Sequence, residues 1–102
     1  MAWHHYFAGF WSGMFAANFV PHFVNGISGH PFPTPFAKPP GKGLSSPFFN
    51  VIWSLANLVI GGMLFQEADI TRKDKLSLII FFAGFMVLSL MLALRFARRD
   101  RA

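Results

Sequence analysis

Cysteine is absent, and charge is scarce: Asp, Glu, Lys and Arg make up 13% of the 102 residues. Without cysteine there is no disulfide framework, no thiol chemistry and no cysteine-based metal site. Redox usage therefore gives no compartment. Acidic residues number only 4, at Glu67, Asp69, Asp74 and Asp100. No carboxylate falls within an apolar run, which weighs against proton-coupled transport, a chemistry that usually needs an ionisable group inside the membrane. No nucleophile–base pair shares an element, and no cofactor motif is present. The sequence reads as non-enzymatic and without a bound cofactor.

What is abundant is apolar. Hydrophobic residues make up 54% of the chain and include 14 phenylalanines. A soluble domain of this size has little interior in which to bury them, and it typically carries about 25% charge. A lipid solvent removes the difficulty. The net charge of +5 does not point to nucleic acid, because the basic residues flank apolar runs and form no stripe.

Crossing a bilayer core takes roughly 20 apolar residues in a helix. Three segments qualify, at about Tyr6 to Val24, Pro47 to Phe65 and Leu76 to Phe96. The first two contain no Asp, Glu, Lys or Arg, and the third meets its first at Arg95. The expected fold is all-α and integral to the membrane. It has three transmembrane helices in one domain, a Pro/Gly/Phe-rich loop over residues 27–46 and a basic tail over 97–102. The first span is expected to be retained, since Met1 to Tyr6 offers no Lys or Arg for a signal-peptide n-region.

Local signals mark the helix ends. Ser46 before Pro47 reads as an N-cap and first helical position. Thr71 with Asp74 resembles a capping box for the third helix. Pro21 removes one helical bond and clashes with the carbonyl of Ala17, which predicts a kink or an early end. Asn25, Gly26 and Gly29 then offer an exit.

Orientation follows from Lys and Arg near the spans. Lys38, Lys42, Arg95, Arg98, Arg99 and Arg101 share one side, against Arg72, Lys73 and Lys75 on the other. This places the N-terminus outside and the C-terminus in the cytoplasm, in a cell inner or plasma membrane. Trp3, Tyr6 and Trp11 then lie toward the outer interface, which suits amphipathic rings.

Polar residues inside spans are the candidate site. Asn18, His22 and Asn25 sit four and three apart, on one helical face. Asn50, Ser54, Asn57 and Gly61 do the same on the second span. Such stripes either hold helices together by interhelical hydrogen bonds or line a polar pathway. Small residues at Gly9, Gly13, Gly61, Gly62, Ala83 and Gly84 mark where helix backbones can approach closely.

The 4 histidines do not suggest a metal. His4 and His5 lie about 25 Å of helix from His22. Only His22 and His30 could meet, without an acid to complete a first shell.

The stretch from Gly29 to Pro47 holds six of the 7 prolines together with Phe32 and Phe36. Those aromatics favour an ordered cap over the helices rather than a solvated linker. Lys42, Gly43, Ser45 and Ser46 precede the second helix. They form a candidate anion or lipid-phosphate contact, although the spacing is not that of a Walker motif.

The reading is a structural or accessory membrane component, either a homo-oligomer or part of a larger complex. Its partners are membrane lipids with anionic headgroups at the cytoplasmic face, with no nucleic acid. The alternative is a pore or carrier for a small solute or ion, lined by Asn18, His22, Asn50 and Asn57. In size, orientation and basic tail the chain is similar to three-helix phage holins, although the Pro/Phe loop is not part of that similarity. Small multidrug transporters and fluoride channels have comparable lengths but four helices.

Overall fold

The structure, a computed structural model, describes residues 2–40, 42–70 and 75–101; at residues 2 and 98–101 it describes the backbone alone. The chain is mostly helical: α1 spans Ala2–Ile27, α2 Pro47–Ala68 and α3 Lys75–Arg101. The loop between α1 and α2 carries a short antiparallel ladder absent from the all-helical expectation. Its strands are β1, Phe32–Pro33, and β2, Leu44–Ser45.

Among the described residues, two helices are long and apolar enough to cross a membrane. They are α2, with a mean hydropathy of 1.7, and the Lys75–Ala97 part of α3, at 2.6. α1 has no Asp, Glu, Lys or Arg, but His4, His5, Asn18, His22 and Asn25 lower its hydropathy.

α1 lies in the middle and packs against both α2 and α3. At one end α2 and α3 also meet, with the Phe65 and Phe81 rings 5.4 Å apart. At the other end lies the loop. The whole measures 44 × 25 × 21 Å.

Helix boundaries follow from local chemistry. Ser46 is the N-cap of α2, and its hydroxyl accepts from the Phe49 N–H at 3.1 Å, with Pro47 behind it. Asp69, in the left-handed region at φ 51°, ends α2. The Thr71–Asp74 capping box lies outside the described residues.

Pro21 does not end α1 early: the helix continues to Ile27. Two contacts offset the missing bond. The Asn25 side chain donates to the Pro21 carbonyl at 2.8 Å, and Gly26 seats the last turn against Pro47 and Val51 of α2. The exit is a Schellman turn. Gly29 has φ +76°, His30 N–H bonds the Asn25 carbonyl at 2.9 Å, and Gly29 N–H bonds the Gly26 carbonyl at 3.1 Å.

Packing reverses the usual arrangement. The largest fully buried side chains are Asn50, Asn57, Thr34, Ser12, Ser54 and Ser77. The surface is apolar, with Phe48 76% exposed, Met63 66% and Leu94 65%. Where α1 crosses α3 the backbones nearly touch. A Cβ on Gly13 would overlap the Phe81 carbonyl oxygen, and one on Gly84 the Phe10 carbonyl oxygen. Small residues at these points permit a contact that dispersion alone rewards.

Candidate functional site

The polar side chains of α1 and α2 meet in antiparallel order. Ser12 Oγ donates to the Gly61 carbonyl at 2.7 Å, and Asn18 Nδ2 donates to Asn57 Oδ1 at 2.9 Å. The His22 Nδ1 to Asn50 Oδ1 distance is 2.7 Å. The rest of the Asn57 amide is committed to its own helix, since Nδ2 donates to the Trp53 carbonyl at 2.8 Å. Helical spacing made most of these residues legible; Ser12 was not, because a lone serine in a glycine-rich stretch carries no periodic signal.

Asn50 is the hub. Its Nδ2 faces the carbonyl oxygens of Phe32 at 3.0 Å, Ser45 at 3.2 Å and Ser46 at 3.0 Å. Those acceptors fix the amide orientation, so Oδ1 must accept from His22. The imidazole therefore carries its proton on Nδ1, leaving Nε2 as its remaining polar atom. One buried side chain thus joins α1, both loop strands and the start of α2.

Two residues of the candidate stripes look inward to their own helices. Asn25 bonds Pro21 as described, and Ser54 Oγ donates to the Val51 carbonyl at 2.7 Å. Among the described residues, neither side chain hydrogen-bonds a neighbouring helix.

The loop folds back over this end of the helices. Phe32 packs on Phe96 of α3 at 4.7 Å between ring centres and edge-on to His22 at 5.3 Å. Phe36 meets Trp53 of α2 edge-on at 4.9 Å. Lys42 and Gly43 lie in a tight turn whose N–H groups both bond the Pro39 carbonyl, at 3.0 and 2.8 Å. Ser45 Oγ pairs with Thr34 Oγ1 at 2.6 Å, while Ser46 is engaged as the α2 cap.

Beneath the loop is a cavity of about 320 Å³ bounded by all three helices. Asn18 and His22 reach it from α1, Trp53 from α2, Thr34 from the loop, and Leu92 and Arg95 from α3. Trp53 Nε1 is buried and has no hydrogen-bond partner among the described residues. Sequence reasoning missed Thr34, Trp53 and Arg95 as a group, because they come from three elements that only the folded chain brings together. No cluster of three or more His, Cys, Asp or Glu side chains that could hold a metal occurs among the described residues.

The Asn18–Asn57 pair allows a direct test. Asn57→Leu should weaken α1–α2 packing by about 0.5–2 kcal/mol, the range of interhelical hydrogen bonds. Asn18→Cys with Asn57→Cys should crosslink within one chain on oxidation, read as monomer mobility on a denaturing gel. Crosslinking only between chains would mean that the pair belongs to an oligomer seam.

Comparison with protein-family models, with curated proteins and with solved structures finds no match for the chain.

Proposed function

We propose that this chain is an integral membrane protein of three transmembrane helices, with its N-terminus outside and its C-terminus in the cytoplasm. It serves as a non-enzymatic structural or accessory component, in a homo-oligomer or a larger membrane complex. The observation that carries this reading is the inverted packing: amides and hydroxyls inside, phenylalanine and leucine outside. Each large apolar side chain left in water forgoes about 1.5–3 kcal/mol of burial, whereas in lipid the same surface costs nothing. The long dimension of 44 Å matches the roughly 40–45 Å of a bilayer with its headgroups.

The same packing supports α1 as a span. Its polar atoms are turned to partners: Ser12 to Gly61, Asn18 to Asn57, His22 to Asn50 and Asn25 to Pro21. A hydropathy average scores these residues as if they were solvated, but a hydrogen-bonded amide inside a helix interface does not face lipid. At about 1.5 Å per residue, a helix of this length is long enough to cross the hydrocarbon core. Orientation rests on the excess of Lys and Arg beside the loop and tail.

A topology reporter fused after Ala102 should read as cytoplasmic, and one inserted near Ile70 as external. A two-span result would remove α1 from the bilayer. The reverse pattern would invert the protein and leave the spans intact. A pore or carrier reading has one point in its favour, namely that Asn18 and His22 both border the cavity. Liposomes holding the purified protein should stay tight to ions and small solutes, and leakage would favour that alternative.

A further inference from the structure

We infer that the loop-covered cavity binds the ring of a lipid-soluble hydroquinone, with one phenolic hydroxyl donating to Nε2 of His22. The route of entry rests on the three-span reading, which sets the cavity within the bilayer. The site itself rests on the geometry around α1.

The acceptor comes first. Nδ1–H of His22 is committed to Asn50 Oδ1, so Nε2 carries a lone pair and no proton. Among the described residues, Trp53 Nε1 is the one enclosed side-chain nitrogen or oxygen without a partner. His22 Nε2 also has no partner there, so it is not enclosed. It opens on the cavity that its ring borders. A bare imidazole acceptor calls for a ligand that brings a hydrogen to share.

The walls decide the kind of ligand. Pro33, Pro35, Trp53, Leu92 and Phe96 border the cavity, and most of its lining is apolar. Water fills such space poorly, because a buried water needs roughly two to four polar partners. A charged ligand would need a free counter-charge to offset its desolvation. Arg95 borders the cavity but already has an interaction of its own, so the ligand is neutral. The volume of about 320 Å³ lies within the roughly 300–1,000 Å³ of small-molecule pockets, which are mostly apolar with a few placed polar groups. Aromatic walls favour a flat ring, and a phenol O–H is a stronger donor than an alkanol O–H.

A second polar position narrows phenol to hydroquinone. Asn18 lies one helical turn before His22 and borders the same cavity. Four residues of helix rise about 6 Å, close to the separation of opposite oxygens on a benzene ring. Beyond its bond to Asn57, Asn18 keeps Oδ1 and one amide hydrogen among the described residues. Either can meet the second hydroxyl.

The way in is lateral. α2 and α3 each pack on α1, and their Phe65 and Phe81 rings meet at the end away from the loop. Toward the loop the cavity lies between Trp53 of α2 and Leu92 and Phe96 of α3. His22 is five residues before the end of α1 at Ile27, about 7.5 Å of rise. A polar ring at that depth sits just inside the hydrocarbon edge, with its tail among acyl chains.

The ring belongs either to a tailed lipid or to a free phenol, and the experiment separates the two. Full-length protein in neutral detergent is titrated by calorimetry under argon. The probes are trimethylhydroquinone, the same ring with a decyl tail, the dimethyl ether of trimethylhydroquinone, and cyclohexanediol.

The tailed hydroquinone should bind saturably, one per chain, and more tightly than the untailed ring. Equal affinity of the two supports the site and assigns it a free phenol. The dimethyl ether, which has no hydrogen to donate, should bind about tenfold more weakly or worse, and cyclohexanediol should not saturate. Leu92→Trp, which fills the cavity, should abolish binding with helical content intact, while Leu78→Trp at the far end of α3 leaves it unchanged. No saturable heat from either hydroquinone, ether binding equal to that of the parent ring, saturation by cyclohexanediol, or equal effects of the two tryptophan variants would overturn the site. Changing the ligand rather than His22 keeps the test independent of folding. The titration is done without a bilayer, so its failure leaves the three-span reading standing, and a two-span topology leaves the titration result standing.

Discussion

Gly84→Ala should lower the stability of the folded chain by about 1–3 kcal/mol or more, the cost of overpacking a close contact. The added methyl would overlap the carbonyl oxygen of Phe10. That atom is backbone, held in a helix, and cannot rotate aside as a side chain would. α1 and α3 must therefore move apart. Reciprocal contact at Gly13 and Phe81 lies on the same crossing, so the displacement loosens both points together. In the three-span arrangement proposed, helices associate through dispersion and hydrogen bonds, without the hydrophobic drive available in water, so lost contact would not be recovered by exclusion from solvent.

Gly62→Ala is the matched control. A Cβ there meets nothing within 4 Å, and alanine is the better helix former by roughly 1 kcal/mol. Thermal unfolding in detergent should place Gly62→Ala at or above the parent and Gly84→Ala well below it. Equal midpoints for the two variants would mean that α1 and α3 do not cross at these glycines.

The contrast between these glycines shows where sequence reasoning stops. Gly9, Gly13, Gly61, Gly62 and Gly84 look alike in the sequence, and helical spacing marks all of them as places where backbones could meet. Only the fold distinguishes Gly84, closed against Phe10, from Gly62, which is open. Which helix lies in the middle is likewise not written in any periodicity. α1 is flanked on both sides, and that position explains why its polar and small residues do not form one narrow stripe.

The hydrogen-bonded pairs were more legible. Asn50, Ser54, Asn57 and Gly61 repeat with the helix period, and an antiparallel hairpin brings early residues of one helix to late residues of the other. The Ser46–Pro47 start was legible for a local reason: capping needs only its own neighbours. Pro21 misled because its cost is local, while α1 is held helical beyond it by the Asn25 side chain on the Pro21 carbonyl and by the contact of Gly26 with α2. The cavity was invisible because Thr34, Trp53 and Arg95 are separated in sequence and share no spacing. The link from Asn50 to the loop was hidden as well, since its acceptors are main-chain carbonyls that every residue possesses.

Asn50→Leu should be the most damaging substitution of a polar residue, at about 3 kcal/mol or more, because several partners lose their bond at once. Leucine has a similar volume, so the loss is one of hydrogen bonding and not of packing. The His22 Nδ1–H would be left buried without its acceptor at 2.7 Å. An orphaned buried donor costs about 1–3 kcal/mol by itself. The carbonyls of Phe32 and Ser45 would lose the amide that ties both loop strands to α2, so the loop should be released before the helices separate. Hydrogen exchange should therefore accelerate across residues 30–46 in Asn50→Leu under conditions where the centre of α2 remains protected. Asn57→Leu, whose partners lie on helices alone, should leave loop exchange unchanged. The double variant His22→Leu with Asn50→Leu removes both the donor and its acceptor. If the two side chains depend on each other, its destabilisation should fall short of the sum of the single variants by about 0.5–3 kcal/mol, the usual coupling of residues in direct contact. Strict additivity, with loop exchange unmoved by Asn50→Leu, would show that His22 and the loop are held in place by the surrounding aromatic rings and not by this amide.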